Sequence, residues 1–251
     1  MLNEFYEFLF QEYLPKRYPT IFHLHPFPRD MVENVVTHDL IPLTPPPSRS
    51  EALQFINSNI DEDFLMLLPS PDGDGYTLQS FVWAYPVGFS PSSKLGLKLR
   101  DAHKPVPGYK AKLEKSMDRY FEKLEVGDVR CRASWAVATN DELCVRGEYH
   151  FYDDDDDDGR AGENGGGGGG GGGKEKREKE QITKEEVEKC WVRCELQTLF
   201  ALPKSGGRVL SVHLYLYPLR EIREVGLGKE MCEAIDGLKG GNVPGFWRYK
   251  R

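Results

Sequence analysis

Six consecutive aspartates (residues 153–158) and nine consecutive glycines (residues 165–173) interrupt this chain beyond its midpoint, and no other feature limits the possible folds so sharply. Such a run has no apolar surface to offset its chain entropy, so a disordered insert is predicted over 153–180. The segments flanking it are different in kind. Over 129–138, Val129, Cys131, Ala133, Trp135 and Val137 alternate with Arg130, Arg132 and Ser134. Over 191–200, Trp191, Arg193, Glu195, Gln197 and Leu199 alternate with Val192, Cys194, Leu196, Thr198 and Phe200. Two half-buried strands of this period are best satisfied by pairing with each other, so the insert is an expanded loop within one domain.

The insert also explains the charge. It holds ten acidic and five basic residues, hence −5 of the formal −7, and the rest of the chain is close to neutral. No basic field remains that would recruit nucleic acid or anionic lipid. Five cysteines form no framework, and Cys190-x3-Cys194 lacks the second pair of a zinc or cluster site. Free thiols in a reducing compartment are the expectation, and with no apolar run of about 18 residues and no secretion signal the chain is read as cytoplasmic.

The remaining pattern is α+β. Phe5, Tyr6, Leu9, Phe10, Tyr13 and Leu14 repeat at helical spacing. A Pro-rich stretch over 15–47 follows and is expected to be irregular, so residues 1–47 form an N-terminal helix and extension ahead of a main domain over 48–251. Ser48 and Ser50 cap a helix over 51–59. An apolar strand at 64–68, a Pro-Asp-Gly-Asp-Gly turn and a strand over 76–84 make a hairpin. Leu113, Met117, Tyr120, Phe121 and Leu124 form the stripe of an amphipathic helix, strands at 191–200 and 209–217 form a second hairpin, and a helix over 229–238 closes the chain. Antiparallel strands with segregated helices are the α+β arrangement.

Nucleotide-binding glycine loops, zinc-protease pairs and serine-nucleophile elbows are all missing from the sequence. What stands out is His103-Lys104-Pro105-Val106-Pro107-Gly108-Tyr109, in which two prolines fix φ and hold the backbone after one histidine extended and stiff. A preorganised imidazole ahead of an amphipathic helix is well placed to hold a ligand. Asp61, Glu62 and Asp63, at the mouth of a strand, are either turn chemistry or carboxylates offered to a pocket.

A run of motifs gives this arrangement a family. Glu62-Asp63-Phe64, Pro86-x-Gly88-Phe89, Lys94-Leu95-Gly96, His103-x-Pro105-Val106-Pro107-Gly108-Tyr109, Arg132-x-x-Trp135, Arg193-x-Glu195-x-Gln197 and Tyr215-x-x-Pro218-Leu219 resemble the haem-dependent oxidative N-demethylase alpha-subunit family, with an N-terminal wording like its fungal branch. The resemblance implies a PAS-like fold holding haem b, with His103 as the axial ligand to iron. It implies oxidation of a small secondary amine such as dimethylamine with oxygen, release of formaldehyde, and electrons from a separate reductase or ferredoxin-like partner. Glu62, Asp63, Glu195 and Trp135 are the candidates for receiving the ammonium, and Arg132 and Arg193 for pairing with the haem carboxylates. Three positions depart from the family pattern: Ser134 stands in place of an asparagine, Leu196 of an arginine, and His213 of a basic residue. A non-catalytic haem or small-ligand sensor, or an interaction module, is the competing reading.

Overall fold

The computed structural model describes residues 1–27, 30–87, 90–145 and 183–243. The predicted insert and most of the strand expected after residue 143 lie outside the described residues. In the Pro-rich stretch the structure departs from expectation. Rather than running irregularly, it forms a small antiparallel sheet of β1 (Phe22–Leu24), β2 (Met31–Asn34) and β3 (Asp39–Pro42). Strands of three or four residues are too short to display a period in sequence, and tertiary burial of Val32 and Ile41 decides the matter. The amide of Asn34 also donates to Asn59 Oδ1 at 2.9 Å, tying this sheet to the helix Arg49–Asn59.

The main sheet contains β4 (Asp63–Pro69), β5 (Tyr76–Val82), β6 (Val129–Ala138), β7 (Trp191–Ala201) and β8 (Arg208–Pro218), all antiparallel, in the order β5-β4-β8-β7-β6. The two strands that flank the insert do pair, in continuous register from Val129 opposite Phe200 to Ala138 opposite Trp191. The mixture of helix and antiparallel sheet is the expected α+β class.

Each face of this sheet carries its own core. On one, Phe64, Met66 and Val209 meet Phe5, Tyr6, Leu9 and Phe10 of the N-terminal helix and Ala52 and Ile56 of Arg49–Asn59. The N-terminal helix turns through Leu2–Glu7, a π-helical Phe8–Tyr13 and Leu14–Arg17, and Phe5 stacks edge-on to Phe64 at 5.1 Å. The N-terminal segment is thus part of the main core. On the other face, Leu199, Ala201 and Leu67 meet Leu99, Phe121 and Leu124, which come from the connection between β5 and β6. That connection runs through a short 3₁₀ turn (Pro91–Lys94), the helix Leu99–Ala102, a π-helical turn (Tyr109–Leu113) and the helix Glu114–Lys123. His103 lies on it.

Candidate functional site

His103 ends the helix Leu99–Ala102, and its Nδ1 lies 2.8 Å from the carbonyl oxygen of Leu99. A carbonyl can only accept, so Nδ1 carries the proton and donates it. Nε2 is left as the atom with the lone pair. Burial holds the imidazolium below the ordinary histidine range, and the positive charges of Arg132 and Lys94 depress it further. The ring is therefore neutral, oriented and basic at Nε2, the state a metal ligand requires.

Contrary to the extended backbone that its two prolines predict, the loop after it folds into successive hydrogen-bonded turns, because fixing φ at proline leaves the turn pairing to the rest of the loop. Val106 N–H donates to His103 O at 2.9 Å and Tyr109 N–H to Val106 O at 3.1 Å. Gly108 sits at φ +67°, and a Cβ there would meet Val243 at 3.0 Å, so glycine is needed both for the turn and for the approach of the C-terminal segment. The buried ring of Tyr109 then stacks on His103 with centroids 5.1 Å apart and planes 17° apart. Burial, with Asp118 and Glu114 nearby, pushes the Tyr109 phenol up to about 12, so it stays neutral beside the imidazole.

Strand register sorts the other candidates by face. Successive side chains alternate, and Leu199 and Leu210, which pack on Leu99 and Phe121, share their face with Arg132, Ser134, Arg193, Glu195, Gln197 and Asp63. On this face Arg132 Nε donates to Gln197 Oε1 at 2.7 Å, and Gln197 Nε2 donates to Glu195 Oε2 at 2.9 Å. A chain of hydrogen bonds thus orders the guanidinium and the carboxylate relative to each other. Gln197, an uncharged amide, is the member that links the two charged groups. The available signal was its place beside Glu195 in the same motif, two residues on and so on the same face.

Asp63 and Arg193 share this face but hold backbone. Asp63 Oδ1 accepts from Ala84 N–H at 2.6 Å and Oδ2 from Tyr85 N–H at 3.1 Å. Arg193 Nη1 donates to Glu142 O at 3.1 Å, and Nη2 donates to Tyr85 O and Leu143 O, both at 2.9 Å. Burial pushes the Asp63 carboxyl up, while the two N–H donors and Arg193 pull it back. The pair pins the segment after β5 to the loop after β6, where Val145 N–H donates to Pro86 O at 2.9 Å.

Glu62 and Trp135 are not brought to His103. Trp135 lies opposite Cys194 and in line with Tyr215 on the far face. Glu62 precedes β4 and is raised by burial, partly offset by the charge of His213, which is also on that far face. Of the three departures from the family pattern, Ser134 alone is on the His103 face, opposite Glu195; Leu196 and His213 face each other on the far side.

Among the described residues no three His, Cys, Asp or Glu side chains converge as a metal cluster. One oriented imidazole with a free Nε2 is the kind of donor that would suit iron whose other nitrogens come from a macrocycle. An open hollow of about 310 Å³ lies elsewhere, on the N-terminal helix between Phe8, Glu12, Tyr13, Lys16 and Arg17. It is a surface furrow on the opposite side of the sheet and has no such donor.

Fold and strand register thus give an α+β domain with one neutral, anchored imidazole on the same side of the sheet as an ordered Arg–Gln–Glu chain. The family model described as haem-dependent oxidative N-demethylase, alpha subunit-like, matches residues 1–251, and the chain belongs to that family. Comparison with curated proteins gives no match. The family name indicates haem dependence and an alpha subunit of a multi-component enzyme. No helix among the described residues is long and apolar enough to cross a membrane.

Proposed function

We propose that this chain holds haem b through His103 and uses it for oxidative N-demethylation of a small secondary amine of the dimethylamine type. The observation that carries the reading is the Nδ1 to Leu99 carbonyl hydrogen bond at 2.8 Å, which leaves Nε2 as a fixed, unprotonated donor. The sheet order β5-β4-β8-β7-β6 supports a PAS-like fold, because numbering the five strands along the chain gives 2-1-5-4-3.

Bound haem would supply oxygen activation and removal of hydrogen from the N-methyl carbon, with formaldehyde as product. The chain's own residues do the rest. Glu195 receives the ammonium and is oriented for it by Gln197, while Arg132 at the other end of that chain meets a haem carboxylate. Asp63 and Arg193, on the same face, hold the surrounding loops in place. Electrons come from a separate reductase or ferredoxin-like protein. The competing reading, a non-catalytic haem or small-ligand sensor, is favoured by one observation: Ser134 removes an amide from the face that carries His103 and stands opposite Glu195.

Titration of the purified chain with haem tests the first step. A Soret band typical of a histidine ligand is expected and should be lost in His103→Ala; an unchanged spectrum in the variant overturns the ligand assignment. Formaldehyde release from dimethylamine with oxygen and a surrogate reductant then decides between enzyme and sensor.

A further inference from the structure

The helix Glu114–Lys123 turns Met117 and Phe121 toward the sheet, and its other side carries Lys115, Arg119 and Lys123 at i, i+4 and i+8, all exposed. Among the described residues neither these three nor Lys110, in the turn before, enters an ion pair. Like charges four apart on a helix repel, and Lys115 in the first turn meets the positive end of the helix dipole. The row therefore weakens the helix without a compensating contact. Its neighbours are different: Lys112 donates to Asn242 O, and Lys104 pairs with Asp101 at 2.7 Å. Residues 104–123 hold six basic and three acidic side chains in a chain of formal charge −7, so the excess is local. Leu113 and Tyr120 are exposed on the same segment, and apolar contact rimmed by charge is how protein interfaces are composed. The way from here to the proposed ligand is short. Tyr109, which opens the turn leading into this helix, donates through its hydroxyl to Met117 Sδ at 3.6 Å and stacks on His103 at 5.1 Å.

We infer that the exposed face of Lys115, Arg119 and Lys123, with Lys110, is where the electron donor docks, and that this donor is a small acidic iron–sulfur protein. This rests on the haem reading and names the chemistry of its partner. Each encounter passes one electron, oxidising the donor and reducing ferric haem to ferrous. Electron transfer weakens steeply with distance, so a donor gains by landing on the element whose turn packs against His103. A row of cations steers an acidic partner to this face and fixes its register. A second copy of the chain is a poorer occupant, because a two-fold contact sets the row against itself. A long polyanion also meets the negative remainder of the chain, which a compact partner avoids.

The test uses the full chain and, as probe, an acidic plant-type [2Fe–2S] ferredoxin. Calorimetry measures its binding to the chain as purified, and the Soret band follows its reduction of the haem-loaded chain. Both should weaken at least tenfold between 50 and 500 mM salt, and at least tenfold in the double variant Lys115→Glu, Arg119→Glu. Reduction by the neutral radical of 5-deazariboflavin should be unchanged in that variant. The same reversal at Lys16 and Arg17, on the opposite side of the sheet, should alter neither readout. Equal losses in the two double variants, or an affinity indifferent to both, would overturn the docking face while the Soret band still reports His103. Ferredoxin binding with no Soret band in wild type would overturn the haem reading and the electron-transfer role together. Duplex DNA or anionic vesicles bound as tightly as ferredoxin would make the row a general polyanion site. Binding seen only after the aspartates at 153–158 are changed to serine would give the row to the chain's own acidic run. Either result overturns the donor assignment.

Discussion

The polar residues on the His103 side of the sheet divide into those bonded to one another's side chains and those that keep the backbone in place. Asp63 and Arg193 belong to the second kind. Removing the Asp63 carboxylate leaves the N–H groups of Ala84 and Tyr85 without acceptors and the nearby guanidinium without its counter-charge. Each unmade buried hydrogen bond costs about 1–3 kcal/mol. Asp63→Ala is therefore expected to lower stability by about 2–4 kcal/mol, measured by urea denaturation. If Asp63 bound substrate instead, the variant would keep its midpoint and lose only amine affinity. Ser134 is the residue to restore toward the family pattern. Ser134→Asn should change the amine dependence of formaldehyde release, whereas Leu196→Arg, on the opposite face, should leave it unaltered.

At the scale of elements, the connection carrying His103 is held at two places. One is apolar, where Phe121 of Glu114–Lys123 packs on Leu199 and on Tyr76. Phe121→Ala is expected to cost about 3–5 kcal/mol, read from the denaturation midpoint. The other is ionic. Lys98 pairs with Asp72 at 2.7 Å and Asp74 at 2.8 Å, and Arg100 pairs with Asp74 at 2.6 Å and Asp118 at 2.9 Å. This fastens the hairpin turn to both helices of the connection. Lys98 holds the Asp72 carboxyl below the usual carboxylate range, and Lys98 with Arg100 does the same for Asp74. Groups depressed in the folded state stabilise it fully above the unfolded carboxylate range, near pH 4. That contribution is lost as pH falls through the lower folded values, because the unfolded chain takes up the protons first. Thermal melts of the Asp72→Asn, Asp74→Asn double variant should show less acid destabilisation than wild type over that window, and high salt should reduce the difference. An identical acid dependence would mean the network is too exposed to contribute.

For the whole molecule, the sheet serves as a partition. One face is filled by the N-terminal helix and Arg49–Asn59, the other by the β5–β6 connection, so the connection that carries His103 and the N-terminal core are on opposite sides. Phe5, Tyr6 and Phe10 are completely buried against the first face. Deletion of residues 1–17 should therefore abolish cooperative unfolding, seen by far-ultraviolet circular dichroism, rather than yield a trimmed active domain. Retention of a sharp transition would mean the segment is an accessory, as the division at residue 47 expects.

What the chain's sequence determined by itself is the part governed by local period and local stiffness. β6 matches the expected 129–138 and β7 differs by one residue, because alternation over ten or so positions is an unambiguous signal. The loop after His103 was legible only in part, since proline restricts φ whatever surrounds it but does not decide that the backbone turns rather than extends. The short strands β1–β3 were not, being too brief to show a period. Nor could sequence divide Glu62 and Trp135 from Glu195 and Arg132, or show that Asp63 and Arg193 grip backbone. Those outcomes depend on strand register and on which carbonyls and amides arrive from distant loops, and a one-residue slip in pairing would reverse every face. Only the packed sheet decides which side chains share a side with the imidazole.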